Sequence, residues 1–327
     1  MLLSVGVVIL GFLLLAWAAD RFVFGVAASA RNLGVSPLMV GLTVVAVATS
    51  MPEVLISGIA SWQGNAGLGM GNAVGSNIAN MGLILGLTAL ISPLLVRSST
   101  LQRELPILLA ITLIGIVLLA DGSLGRVDAT VLLVLFGVVL YWLARLGSRT
   151  RVDDPMSGEF DTRIPSHVPM RRAVGWLVTG IIMLLVASRA LVWGAINIAQ
   201  ALSVSDLVIG LTIVAVGTSL PELATAVASA FRHQPDIAIG TVIGSNIFNL
   251  LAVLGIVGMI HSSVVPAELL TRDYPTMIAF TLALFAMAYG FGGSGRINRL
   301  EGAILFACFV VYQWYVYFNA RETGMSP

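Results

Sequence analysis

One phrase is written twice in this chain. Positions 41–53 read GLTVVAVATSMPE and positions 210–222 read GLTIVAVGTSLPE, with ten of the thirteen places identical; the changes are Val44/Ile213, Ala48/Gly217 and Met51/Leu220. At the same offset, 210 − 41 = 169, GNAVGSNIAN from Gly71 to Asn80 faces GTVIGSNIFN from Gly240 to Asn249. Gly25 matches Gly194, and Arg103-Glu104-Leu105-Pro106 matches Arg272-Asp273-Tyr274-Pro275. Gly125-Arg126 matches Gly295-Arg296 after a one-residue slip. Any fold must therefore accommodate two copies of one unit, each with a glutamate inside an apolar run.

The runs are too apolar for water. Hydrophobic residues make up 58% of the 327 positions and charged residues only 10%, against about 25% charged in an ordinary soluble domain. The mean hydropathy of +0.98 agrees. A bilayer core takes roughly 20 apolar residues per helix, and segmentation on that basis predicts an all-α membrane protein of ten transmembrane helices, five per copy. Residues 1–146 hold the first five-helix repeat and 173–320 the second. The polar, Pro-containing stretch 147–172 reads as a linker and 321–327 as a tail. The start has no basic region before its apolar run, so it reads as a retained first helix.

Five crossings are an odd number, so the second copy enters the membrane in the opposite sense and the repeats are inverted. Arginine carries all the positive charge, since the chain has no lysine. With the linker in the cytoplasm, twelve arginines fall on that side and three, Arg126, Arg272 and Arg321, on the other. By the positive-inside rule both termini face the periplasm. A net charge of +1 suggests no nucleic-acid partner, and the single Cys308 excludes an intramolecular disulfide or thiolate cluster.

Inverted repeats place substrate near the midplane, on helices interrupted there. Pro52 and Pro221 supply the interruption, because each lacks an N–H and clashes with the carbonyl four residues back, at Ala48 and Gly217. Thr49, Ser50 and Glu53 share one helix face, as do Thr218, Ser219 and Glu222. Ser76 and Asn80, like Ser245 and Asn249, stand four apart on the helix that follows, where glycines 71, 75, 240 and 244 allow close backbone approach. Hydroxyls and amides alone could be helix glue. Two acids at mid-membrane cost at least a few kcal/mol and mark an ion or proton path. Carboxylate, hydroxyl, amide and carbonyl oxygens suit hard cations, calcium, magnesium or sodium, rather than zinc or copper.

The doubled phrases resemble the two α-repeats of the calcium/cation antiporter superfamily, the sodium/calcium exchangers, and the whole chain resembles their short bacterial branch. That resemblance implies an inner-membrane antiporter, not an enzyme, exporting calcium in exchange for sodium, with no cofactor beyond the transported ions. Carried over by position, the calcium ligands would be Glu53, Glu222 and the carbonyls of Thr49 and Thr218. Sodium sites would draw on Ala46, Ser50, Ser76, Ala215, Ser219 and Ser245, with Asn80 and Asn249 completing the centre. Asn249 stands where potassium-dependent members carry an acid, which implies no potassium requirement. Ala48 departs from the glycine expected there, and Thr241 from the asparagine present at Asn72. Beyond the ions and the bilayer no partner is implied, and a monomer suffices.

Three other readings use the same residues. A proton/calcium exchanger would employ the same glutamate pair. A cation channel would need a filter-like loop, and none is legible; an intramembrane enzyme would leave the GSN phrases without a role. Alternating access is expected to slide the first and sixth helices past the motif helices. Asp20 and Arg189, at equivalent positions, either pair across the halves or, as expected for long side chains, reach to the interface.

Overall fold

The structure, a computed structural model, describes residues 1–35, 37–96, 101–149, 168–202, 215–289 and 295–322. Most of the linker, the start of the second glutamate phrase and residues 323–327 of the tail lie outside the described residues. The chain opens with α1 (Leu2–Leu33), stopped by Gly34, whose φ of 64° is open to glycine at little cost. Then come α2 (Leu38–Thr49) and α3 (Met51–Trp62), two pieces of one bent helix. They are followed by α4 (Ala66–Ile91), α5 (Leu101–Leu119) and α6 (Arg126–Arg149). The second set comprises α7 (Met170–Ala201), α8 (Ala215–Thr218), α9 (Leu220–Phe231), α10 (Pro235–Ile260), α11 (Tyr274–Tyr289) and α12 (Arg299–Glu322). Helix α6 runs on to Arg149 and α7 begins at Met170, so each flanking helix extends three residues into the stretch 147–172 read as a linker. Helical hydrogen bonding continues past the point where the apolar run ends.

The molecule buries a set of polar side chains within an apolar core and leaves apolar side chains on its outer surface. Thr49, Ser50, Glu53, Asn77, Asn80, Glu222, Ser245, Asn246 and Asn249 are buried, whereas Leu13, Val117, Val186, Val311 and Trp314 are exposed. Among the described residues six helices are long and apolar enough to cross a bilayer, or seven when the bent pair counts as one. This is a multi-pass membrane protein: the exposed apolar surface is at home only in lipid, and the helices satisfy their own backbone groups there.

Residues related by the repeat make reciprocal contacts. A Cβ on Gly25 would lie 2.4 Å from the Leu177 nitrogen, and one on Gly180 would lie 2.6 Å from the Phe22 Cα, so α1 and α7 cross with their backbones nearly touching. Gly11 against Leu191 and Gly194 against Val8 complete the crossing. At the other side of each unit, two-residue strands exchange partners. Strand β1 (Leu94–Leu95) pairs antiparallel with β4 (Arg296–Ile297), and β2 (Ser123–Leu124) with β3 (Ser263–Val264). Val96 N donates to Gly295 O at 2.7 Å and Val265 N to Gly122 O at 2.9 Å.

These ladders correct one sequence match. Gly125-Arg126 is not the counterpart of Gly295-Arg296; Arg126 corresponds to Arg299, the first residue of the next helix. Both helices open on an acid that folds back onto the capping N–H, Asp128 Oδ2 accepting from Gly125 N at 2.8 Å and Glu301 Oε2 from Asn298 N at 2.7 Å. The shared dipeptide misled because the second loop is longer. Of the two readings for Asp20 and Arg189, the pairing is not formed: Arg232, at the end of α9, meets Asp20 at 2.6 Å and lies over the Phe24 ring, while Arg189 stays exposed, in keeping with the expected reach to the interface.

Candidate cation site

Each glutamate phrase breaks its helix at the serine before the proline. Ser50 has φ −85° and ψ 11°, and Ser219 has φ −88° and ψ 7°, neither of them helical. The break bends α2 against α3 by 42°. Pro52 and Pro221 then fall in the first turn of α3 and α9, where a missing N–H costs nothing. Glu53 and Glu222 sit in the same first turns, at the positive end of the helix dipole, which favours an anion.

The break also frees backbone oxygens, and other groups use them. Ser188 on α7 donates its Oγ to Gly217 O at 2.8 Å, the carbonyl that Pro221 leaves without an N–H. Position 19 on α1, the counterpart of Ser188, is alanine. Gly217 itself is held against α7, since a Cβ there would meet Val192 Cγ2 at 2.2 Å. Ala48 keeps its methyl, so the first break lacks that close approach. Ala46 O accepts from Ser50 N at 3.0 Å and from Thr49 Oγ1 at 3.4 Å.

The two breaks meet. Ser50 Oγ donates to Glu222 Oε1 at 3.1 Å, a bond spanning 172 residues of sequence. Thr49 Oγ1 turns back onto its own helix at Val45 O, 3.1 Å away, and Glu53 and Glu222 are close enough to repel. Both glutamates are about 1% exposed. The helices of the GSN phrases close the site from the other side. The wide turn at Asn249–Val253 packs on α3, and the equivalent turn at Asn80–Leu85 packs on α9. Such widened turns often mark functional positions.

Several oxygens here are buried with no hydrogen-bond partner: Glu53 Oε2, Glu222 Oε2, Asn80 Oδ1, Asn249 Oδ1, Ser219 Oγ and Ser245 Oγ. Buried polar atoms are almost always paired, so a cluster of unpaired acceptors from both copies suits a cation that would be their common partner. Ser76 is also buried, at 5% exposed. Thr218 and Ala215 lie on α8; residues 203–214, which precede it, are outside the described residues. So is the segment that the repeat would set opposite Gly71 and Gly75. In the other copy Gly240 and Gly244 do admit a neighbouring backbone, with Leu38 O and Leu42 O at 2.7 and 2.4 Å from an added Cβ.

A match over most of the chain settles its kinship: the sodium/calcium exchanger protein family model covers residues 3–145 and 172–318. The chain belongs to the sodium/calcium exchanger family. It is 45% identical over 97% of its length to a proposed antiporter, CaxA of Alkalimonas amylolytica, covering 99% of that protein. To the sodium/calcium exchanger MaX1 of Methanosarcina acetivorans it is 33% identical, over 95% of this chain and 98% of that one. The solved structure of the sodium-calcium exchanger NCX_Mj soaked with zero sodium and calcium superposes with a TM-score of 0.83 at 34% identity, covering 96% of this chain and 99% of that one. As a member of the family the protein is a transmembrane cation antiporter of the sodium/calcium exchanger type, a transporter and not an enzyme.

Sequence reasoning passed over five buried or part-buried polar residues. Ser188 carries no signal, being one serine on a long apolar helix. Asn77 and Asn246 were legible as the last letters of GSN, but their hydrogen bonds cross between copies. Asn72 reaches Ser57 Oγ at 3.0 Å and Glu53 O at 3.4 Å, whereas its counterpart Thr241 turns back onto its own helix at Ile237 O. Glu104 is a further buried acid, with neither carboxyl oxygen partnered. Its counterpart Asp273 bonds Arg272 and Tyr312.

Proposed function

We propose that this antiporter exchanges calcium for sodium at one central site shared by the two copies of the phrase. Glu53, Glu222 and the carbonyls of Thr49 and Thr218 bind calcium. Ala46, Ser50, Ser76, Ala215, Ser219 and Ser245 contribute to sodium binding, with Asn80 and Asn249 between. The observation that carries the reading is the bond from Ser50 to Glu222: a donor of the first half reaches the acid of the second, and both acids, with oxygens from each half, are buried and still short of partners.

The fold that serves this exchange is ten transmembrane helices in two inverted five-helix repeats, residues 1–146 and 173–320. The reciprocal glycine contacts of α1 with α7 and the exchanged strand ladders support the inversion. The arginine distribution supports periplasmic termini, and the bacterial-type exchanger an inner-membrane location. Amide rather than acid at Asn249 argues for independence from potassium.

Coupling follows from electrostatics. Two ionised carboxylates withdrawn from water and left uncompensated cost several kcal/mol each, so the empty carrier rarely reorients. Cations must ride both ways, and α1 and α7 move past the motif helices only when the charge is covered. Their glycine-lined crossing offers a smooth sliding surface.

The test is calcium uptake into proteoliposomes driven by an outward sodium gradient, with pH and potassium clamped. Uptake that follows the sodium gradient supports the reading. Uptake that ignores sodium and follows an imposed pH gradient would hand the same glutamate pair to proton/calcium exchange.

A further inference from the structure

Four buried asparagines link the two GSN phrases, and they are not equivalent in what they can do. Asn80 and Asn249 each have an Oδ1 with no partner and an Nδ2 that donates across the molecule. Asn77 and Asn246 receive those donations: Asn249 Nδ2 to Asn77 Oδ1 at 3.1 Å, and Asn80 Nδ2 to Asn246 Oδ1 at 3.0 Å. The pattern is reciprocal, since 77 and 246, like 80 and 249, differ by the repeat offset of 169.

An amide side chain presents an oxygen on one edge and an N–H2 on the other, and only the oxygen can bind a cation. Something must hold Asn249 with its oxygen toward the glutamates. Asn77 is itself fixed by its donors. Its Nδ2 points at Asn246 O, 3.2 Å away, and at Met277 Sδ, 3.5 Å away, a carbonyl and a thioether that can only accept. Its Oδ1 is therefore the atom left for Asn249, which has to answer with N–H2. Asn246 receives Asn80 in the same sense, but its own Nδ2 has no partner, so its direction rests on that bond alone.

We propose that Asn77 is a positioning residue, which by accepting the Asn249 amide N–H2 turns the Asn249 oxygen into the cation site, and that Asn246 does the same for Asn80. This rests on the site reading proposed above. Neither Asn77 nor Asn246 touches the ion in this scheme; they act as the outer hydrogen-bond partners that orient ligands in metal sites, whose loss costs 10–100-fold in affinity.

The test exploits the symmetry of a carboxylate. In the parent chain Asn77→Ala should raise the calcium concentration for half-maximal uptake by about tenfold or more, with a smaller change in maximal rate. In an Asn249→Asp background the same Asn77→Ala change should cause no loss, because a carboxylate offers oxygen on either edge and needs no orienting. Equal losses in both backgrounds would overturn the positioning role and make Asn77 a packing residue. If Asn77→Ala does not yield folded protein, Asn246→Ala against Asn80→Asp poses the same question in the other half. Absence of calcium uptake by the parent chain overturns the site reading and this inference with it. Uptake by the parent with equal losses overturns only the role of the two asparagines.

Discussion

Replacing Ser188 by alanine isolates the cost of breaking a helix in the middle of a membrane protein. Gly217 O has one identified donor, Ser188 Oγ at 2.8 Å, because Pro221 has no N–H to give it. Ser188 is 6% exposed, so water does not replace the lost hydroxyl, and the substitution removes an oxygen without opening a methyl-sized hole. An orphaned buried acceptor costs about 1–3 kcal/mol, while interhelical hydrogen bonds measured in membrane proteins average about 0.6 and reach about 1.7 kcal/mol. The two ranges overlap at about 1–2 kcal/mol, a factor of roughly 5 to 30 in the ratio of folded to unfolded protein. Reversible unfolding in mixed micelles by a denaturing detergent measures it. The decisive comparison is the same substitution in a Pro221→Ala background, where residue 221 regains an N–H that can reach Gly217 O. There Ser188→Ala should cost less than about 0.5 kcal/mol, within the spread expected of an innocuous change. An undiminished loss in that background would refute the idea that serine and proline are linked through one carbonyl.

Glu53→Gln and Glu222→Gln should each lower calcium exchange at least about 100-fold while the protein keeps its elution profile and helical content, since the amide removes charge and not volume; retained exchange in either would remove that acid from the site. Gly244→Ala should destabilise by about 1–3 kcal/mol, because its Cβ would lie 2.4 Å from Leu42 O, and Gly6→Ala, with nothing within 4 Å, should be neutral or stabilising in the same unfolding assay. The Asp20 and Arg232 pair is part-exposed and should contribute less than about 1 kcal/mol to stability, yet it ties α1 to the helix of Glu222. Charge reversal at either residue should slow exchange and reversal at both restore it; additive losses would dissolve the link. Glu104→Leu should raise stability by about 1 kcal/mol or more, because burying a carboxyl without partners opposes folding, and a loss of stability would mean that Glu104 is paired.

What the sequence determined by itself is whatever neighbours along the chain can encode. Hydropathy chose the lipid solvent, the 169-residue repeat chose two like halves, and Pro52 and Pro221 marked the breaks beside Glu53 and Glu222. An acid in an apolar run is conspicuous because it is costly wherever the run folds. The tertiary structure alone decided which groups face one another: Ser50 with Glu222, Ser188 with Gly217, Asn249 with Asn77, Asp20 with Arg232 rather than Arg189. It also shifted the counterpart of Arg126 to Arg299, past a loop whose extra length a short shared dipeptide could not disclose. These partners lie far apart in sequence, and nothing local distinguishes a serine that will meet an orphan carbonyl from one that will face its own helix. Their pairing is fixed by where close-packed helices cross, and that depends on the whole set of side chains filling the space between them.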